Sequence, residues 1–175
     1  MWFNKRNYDI ISEKIKKLLN KEVNNMKVID SFDGKYAFLS NFFPCIIKYD
    51  ENDYPSVEHA FQAAKTLDRQ EQFRVWKAET PGKARREGRK VTLRKDWEDV
   101  KRDYMREFIH QKFQNEALRK MLLATGDAEL IEGNYWNDTY WGVCNGVGEN
   151  WLGKILMAER EKIKNENSDK LFLSN

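Results

Sequence analysis

Tyr54-Pro55-Ser56-Val57-Glu58-His59-Ala60-Phe61-Gln62-Ala63-Ala64-Lys65 reads as a capped amphipathic helix entered from an extended run. Ser56 stands at the N-cap, where its hydroxyl accepts from a free backbone N–H, and the helix is predicted to run to about Thr66. Glu58 falls in the first turn, where the macrodipole favours a carboxylate. Val57, Phe61, Ala64 and Leu67 share one stripe and are expected to face the core. Glu58, Gln62 and Lys65 share another, at i, i+4 and i+7. At ~1.5 Å rise per residue the carboxylate and the amine lie about 10 Å apart along the axis, with Gln62 between them. That spacing suits a ligand held between their tips, and it equally describes a solvated helix face. His59 lies beside the stripe as a packing or capping residue, or else as a general base.

Outward from this helix the pattern divides. Upstream, Lys27-Val28-Ile29, Tyr36-Ala37-Phe38 and Ile46-Ile47-Lys48-Tyr49 are β-leaning runs, and Asp50 to Asp53 forms a turn. Downstream, Thr80-Pro81 is a helix start and Gly88 its stop. Trp97, Val100, Tyr104, Phe108 and Phe113 mark a long amphipathic helix, and Leu118, Met121 and Leu122 mark another that ends at Gly126. Short strands are predicted at 128–132 and 139–143, and a last helix from Trp151 to Lys162. The expected fold is α+β but mainly α-helical, one compact domain with a few short strands over residues 26–163. Residues 1–25 form an N-terminal extension, an amphipathic helix with Ile11, Ile15, Leu18, Leu19 and Val23 set among lysines, suited to contact with a partner or a second copy. Residues 164–175 read as a polar C-terminal tail.

Composition sets limits on function. The 175 residues include ten Phe, seven Tyr and six Trp, enough large apolar surface for a core, so disorder of the whole chain is excluded. Lys+Arg minus Asp+Glu is 31 − 28, a net charge of +3, which suits an anionic ligand but not a polycationic coat for duplex DNA. No run approaches the ~18 apolar residues of a membrane span, and no apolar signal segment opens the chain. Cys45 and Cys144 lack CxxC spacing and are expected to be reduced; with two histidines and no HExxH, ligands for zinc are lacking. A soluble, metal-free and cofactor-free cytoplasmic domain is expected.

Two further stretches carry chemistry. Gly88-Arg89-Lys90-Val91-Thr92-Leu93-Arg94-Lys95-Asp96-Trp97 offers guanidinium forks for phosphate and an indole for stacking. It is also the pattern of a basic surface loop before a helix, with Asp96 as N-cap and Trp97 in the core. The run from Gly133 to Gly153 holds four aromatic rings besides its last tryptophan-led turn, and is rich in glycine and asparagine. Its glycines would bring backbone N–H groups close to phosphate or sugar and its aromatics would wall a nucleotide-like ligand. The bland counterpart is a Gly-rich turn packed by tryptophans.

Taken together, these pieces resemble the NADAR family. The matching signatures are Leu39-Ser40-Asn41-Phe42-Phe43-Pro44, Ser56 to Lys65, Gly88-Arg89 with Leu93 to Trp97, Asn137 to Gly142, and Gly148 to Gly153, in the family's order across roughly residues 26–163. The resemblance implies a compact, mainly helical fold and hydrolysis of N-glycosidic bonds to ribose. Substrates associated with the family are phosphoribosylamino intermediates of the riboflavin pathway and ADP-ribose conjugates, ADP-ribosylated guanine and nucleic acid among them. Glu58 matches the family's catalytic glutamate, Trp97 and Asp138 match residues linked to the site, and Lys65 matches a lysine able to attack the anomeric carbon. Ser40, Asn41, Phe42, His59, Gln62, Arg89, Arg94, Asn137, Trp141, Gly142, Gly146 and Asn150 are the expected substrate contacts. Val57, often Ser or Thr in the family, and Cys144 depart from the pattern without removing a reactive group.

Cleaving a ribosyl C1–N bond builds positive charge on C1 and the ring oxygen, which a carboxylate such as Glu58 stabilises while accepting a proton from water. Asp138, or a water, is the expected proton source for the leaving nitrogen, and neutral Lys65 offers a Schiff-base route. The alternatives are a module that binds ADP-ribose or a nucleotide without turnover, and an interaction protein docking through its N-terminal helix.

Overall fold

The computed structural model describes residues 27–173. Along it run β1 (Val28–Ile29), a 3-10 helix (Gly34–Leu39), β2 (Pro44–Tyr49), β3 (Asn52–Ser56), α1 (Val57–Ala63), α2 (Arg69–Trp76), α3 (Pro81–Gly88), α4 (Trp97–Lys112) and α5 (Glu116–Leu123). β4 (Glu129–Leu130), β5 (Gly133–Asn134), β6 (Val143–Cys144) and α6 (Trp151–Leu173) follow. Helices dominate, and the strands form three two-stranded pairs: β1 with β4 in parallel, β2 with β3 antiparallel, and β5 with β6 in parallel. The β2–β3 hairpin turns through Asp50 (φ 49°) and Glu51 (φ 67°), the two left-handed residues that a tight two-residue connection requires.

α1 is the centre of the molecule. Every one of its seven residues is buried, and it packs against α2, α3, α4 and the β2–β3 hairpin. Its start is fixed twice: the Ser56 hydroxyl accepts from His59 N, and Asn41 O in the loop before β2 accepts from Glu58 N at 3.0 Å. Ile47, Tyr54, Val57, Phe61, Phe108 and Ile109 fill the core around it. α6 then lies across α4, α5 and β4, and the buried Arg160 guanidinium ties it to Thr125 Oγ1 (2.8 Å) and Ala128 O (2.9 Å).

Several local expectations give way. Tyr36-Ala37-Phe38 lies in the 3-10 helix; consecutive Phe38 and Leu39 are both buried, which alternating strand faces do not permit. α1 stops at Ala63 and the chain turns at Ala64–Thr66, so Leu67 leaves the core face and stands 69% exposed. α2 answers no predicted element, although Asp68 Oδ1 caps it by accepting from Gln70 N and Glu71 N. α6 continues past Lys162 to Leu173, through most of the expected polar tail. The expected N-terminal amphipathic helix, residues 1–25, lies outside the described residues. Cys45 and Cys144 are free thiols. Among the described residues no helix is long and apolar enough to cross a membrane.

Asn150 joins the second half of the fold. Its Nδ2 donates to Leu130 O (2.9 Å), its Oδ1 accepts from Glu132 N (3.0 Å), and its φ is 54°, a conformation that asparagine tolerates and alanine does not. Asn150→Ala leaves a buried carbonyl and N–H unpaired, and a loss of about 2–4 kcal/mol in urea unfolding is expected.

Candidate active site

Glu58, Gln62 and Lys65 line one cavity of about 370 Å³. Ser56 sets the first turn of α1 so that Glu58 and Gln62 project to the same side, and Gln62 Nε2 donates to Glu58 Oε1 at 2.8 Å. Lys65 reaches the cavity from the turn after α1, where its own carbonyl accepts from Arg94 N at 2.8 Å. α3 adds Arg85 and Arg89, one helical turn apart on the same stripe. Ser40, Asn41 and Phe42 come from the loop before β2, and Asp138 and Trp141 from the loop between β5 and β6. The Asn41 Oδ1 acceptor is buried there without a hydrogen-bond partner among the described residues.

Charge is unevenly distributed across this space. Glu58 is only 7% exposed, and burial raises its pKa above the ordinary carboxylate range. The Gln62 hydrogen bond, Arg85 and Lys65 pull it back down, while Asp138 pushes it further up. Burial lowers the pKa of Lys65; Glu58 opposes that shift, and Arg85 and Arg89 reinforce it. An amine in this setting yields its proton more readily than an exposed lysine and becomes a nucleophile at lower pH.

Other expected contacts lie elsewhere. Trp97 is buried behind the cavity wall, its ring 5.0 Å from that of Phe61, and so supports a lining residue without reaching the space. Arg94 is held away by both oxygens of Asp96 (2.6 and 2.9 Å) and by Tyr104 Oη (2.7 Å), leaving no fork for phosphate. The His59 ring is buried between Ser56 Oγ (2.8 Å) and Ala78 O (3.1 Å). Asn137 is exposed at φ 63°, beside Cys144, and Gly146 lines a neighbouring cleft. Gly142 and Asn150 hold backbone: a Cβ at Gly142 would lie 2.1 Å from Glu132 O.

The lining residues without a sequence expectation are Arg85, Met105, Glu132, Trp136 and Leu152, together with Phe61, which was expected in the core. The i, i+4 pair Arg85/Arg89 was a readable signal, and Trp136 stands within the aromatic run. A lone glutamate before Gly133 carries none. Among the described residues no group of three or more His, Cys, Asp or Glu is placed to hold a metal ion.

Residues 29–164 match the NADAR domain. The chain belongs to the NADAR family. It is 44% identical over 137 residues to the N-glycosidase YbiA of Shigella flexneri serotype 5b, spanning 76% of this chain and 85% of that protein. A riboflavin biosynthesis protein of Vibrio vulnificus is 41% identical over 136 residues, 75% of this chain and 37% of the relative. The NMR structure of YbiA from Escherichia coli is similar with a TM-score of 0.71 at 40% identity, covering 81% of this chain and 88% of that one. The NADAR match takes in every lining residue of the cavity.

Gly88 keeps the Glu58–Gln62 pair in place, because a Cβ there would lie 2.1 Å from Gln62 Oε1 and 2.7 Å from Gln62 Cβ. Gly88→Ala and Gln62→Leu should each remove the hydrogen bond that favours the Glu58 carboxylate. Carbon-detected NMR titration should then show the Glu58 pKa rising further, by about one unit for a hydrogen bond worth ~1.4 kcal/mol.

Proposed function

We propose that the chain is an N-glycosidase that hydrolyses a ribosyl C1–N bond, with Glu58 and Lys65 as its reacting groups. The observation that carries this is their convergence, from one short buried helix and its exit turn, on a cavity that also holds Arg85, Arg89 and aromatic walls. Glu58 stabilises the positive charge that develops at C1 and takes the proton of the attacking water. Arg85 and Arg89 take a phosphate, Trp141 and Phe61 flank the sugar, and Asn41 Oδ1, unpartnered among the described residues, accepts from a sugar hydroxyl.

Lys65 provides a second course through the same site. Its neutral amine bonds to C1 as the C1–N bond to the leaving group breaks; loss of the amine proton and opening of the ring give an imine. Water then hydrolyses the imine to free lysine and sugar. The lowered pKa of Lys65 favours this step by raising the neutral fraction.

A phosphoribosylamino-pyrimidine of riboflavin synthesis is the substrate class proposed first. A cavity of about 370 Å³ stands near the small end of ligand sites, ~300–1,000 Å³, and its cations Lys65, Arg85 and Arg89 lie close enough to act on one another. The name of the Vibrio vulnificus relative points the same way. ADP-ribose conjugates, as free nucleotides or on nucleic acid, are the second class. The observation favouring them is the adjoining cleft of about 650 Å³ that shares Ser40, Glu132 and Trp136 with the cavity.

Incubation with each substrate class, followed by mass spectrometry, tests the proposal. Ribose 5-phosphate released from the pyrimidine supports the first class, and ADP-ribose released from an ADP-ribosylated guanosine oligonucleotide supports the second. Tight binding without release makes the protein a nucleotide-binding module. Glu58→Gln should lower kcat by about 100-fold or more, within the ~10²–10⁴ range of positioned proton transfer. Borohydride added during turnover should trap a sugar on Lys65, seen as a mass increment on its peptide; a wild-type reaction that leaves no adduct removes the imine route.

A further inference from the structure

Glu132 is the carboxyl group in the cavity to which neither the motifs nor the helix stripe point. It follows β4 and lines both the main cavity and the adjoining cleft, at the boundary that Ser40 and Trp136 share with it. Its main chain is held from three directions. Asn150 Oδ1 accepts from its N–H at 3.0 Å, Val143 N donates to its carbonyl at 2.9 Å, and Gly142 lies so close that a Cβ there would meet both Glu132 O and Glu132 Cγ. Its carboxyl, by contrast, makes no hydrogen bond or ion pair with the described residues. A half-buried acid with a fixed backbone and an uncommitted carboxyl is suited to act on a ligand.

Asp138, which lines the cavity together with Glu58 and Glu132, is differently placed. Its Oδ1 accepts from Trp141 N (2.9 Å) and Tyr140 N (3.2 Å), two bonds that tie the group to its own turn. That carboxyl is engaged in holding its own loop, whereas the Glu132 carboxyl is not. From this contrast we infer that Glu132 is the general acid of the site, delivering a proton to the departing nitrogen. The inference rests on the N-glycosidase reading above and adds to it the group that makes a neutral leaving nitrogen leave.

The step balances as follows. The C1–N bond breaks with its electron pair kept by nitrogen, and the Glu132 O–H proton passes to that nitrogen. The water oxygen bonds to C1 and gives its proton to Glu58. Glu132 is left ionised and Glu58 protonated, and solvent exchange restores both.

The surroundings of Glu132 suit the role. Burial, with Asp138 and Glu58 facing it, pushes its pKa up to about 7, against Arg85 from α3 and Lys112 from α4, which pull it down. Asp30 and Asp33 line the cleft on its other side and add negative charge there. The group therefore keeps a proton in the acidic and neutral range and loses it as the pH rises, so an alkaline fall in rate is expected near neutrality.

The test uses the full chain and a phosphoribosylamino-pyrimidine, or an ADP-ribosylated guanosine oligonucleotide if that is the compound the wild type cleaves. Glu132→Gln preserves shape and removes the acid; kcat should fall about 100-fold at pH 6, and its alkaline fall should vanish. Glu132→Asp should be slower than wild type yet keep the alkaline fall, which a merely structural role would not predict. Thermal melting confirms that each variant is folded, and Glu132→Asp carries the test alone if Glu132→Gln is not. A Glu132→Gln enzyme with wild-type rate, or one that keeps the alkaline fall, overturns the assignment while the N-glycosidase activity stands. A wild type that cleaves neither compound removes the reaction itself, and the general acid with it.

Discussion

Everything in this fold answers to the burial of one seven-residue helix that carries a carboxylate and an amide. An apolar helix in the place of α1 would pack without further demands. Glu58 and Gln62 oblige the surrounding elements to offer compensation, because an ionised carboxylate removed from water without partners is strongly destabilising. Gln62 gives a hydrogen bond, α3 gives a guanidinium, the exit turn gives an ammonium, and the helix N-terminus itself gives a favourable dipole. Each of these groups compensates Glu58 and lines the cavity. The same arrangement that makes the burial tolerable therefore also makes the site.

The loop region from Gly133 to Gly153 serves this arrangement as scaffold more than as contact. Its glycines let backbone cross backbone: Gly142 lies against Glu132 O, and Gly148 (φ 157°) against Gly142 O. Asn150 clamps β4 to the start of α6, and Asn134 Nδ2 donates to Asp138 O at 2.8 Å. The expected approach of these glycines to phosphate is replaced by approach to carbonyl oxygens, since both uses need the same missing Cβ. What reaches the cavity from this region is the set of larger side chains that the glycines and asparagines hold in place.

The sequence made legible whatever depends on local periodicity. Ser56 at the cap, the Glu58–Gln62 pair, the Thr80-Pro81 start and the long helix from Trp97 follow from short-range rules and stand in the structure, while Lys65 reaches the same cavity from the turn after the shortened helix. Arg94 and Trp97 illustrate the limit. Their chemistry suited phosphate and a base, but a carboxylate two residues away and an aromatic ring from α1 claimed them first. His59 likewise found two partners inside the protein. Competition for a side chain is settled by tertiary neighbours, and residue type and spacing do not encode it. Glu132 shows the converse, since distant residues fix its backbone and none of the described residues claims its carboxyl.

These opposite fates share one physical cause. A polar side chain satisfied within the protein has little to offer a ligand, and one left unsatisfied at a cavity wall retains its full capacity to bind or to transfer a proton. Among the described residues, Arg94, His59 and Asn150 find their partners, and Asn41 Oδ1 and the Glu132 carboxyl find none. The acids also act on one another, because Asp138 raises the pKa of Glu58, and Asp138 and Glu58 together raise that of Glu132. Glu58 has Gln62, Arg85 and Lys65 as compensating partners, and the Asp138 carboxyl holds its own turn, whereas burial beside Glu58 and Asp138 raises the Glu132 pKa against the pull of Arg85 and Lys112. A division of labour between base and acid then follows from where the compensating charges stand, with no difference in residue type required.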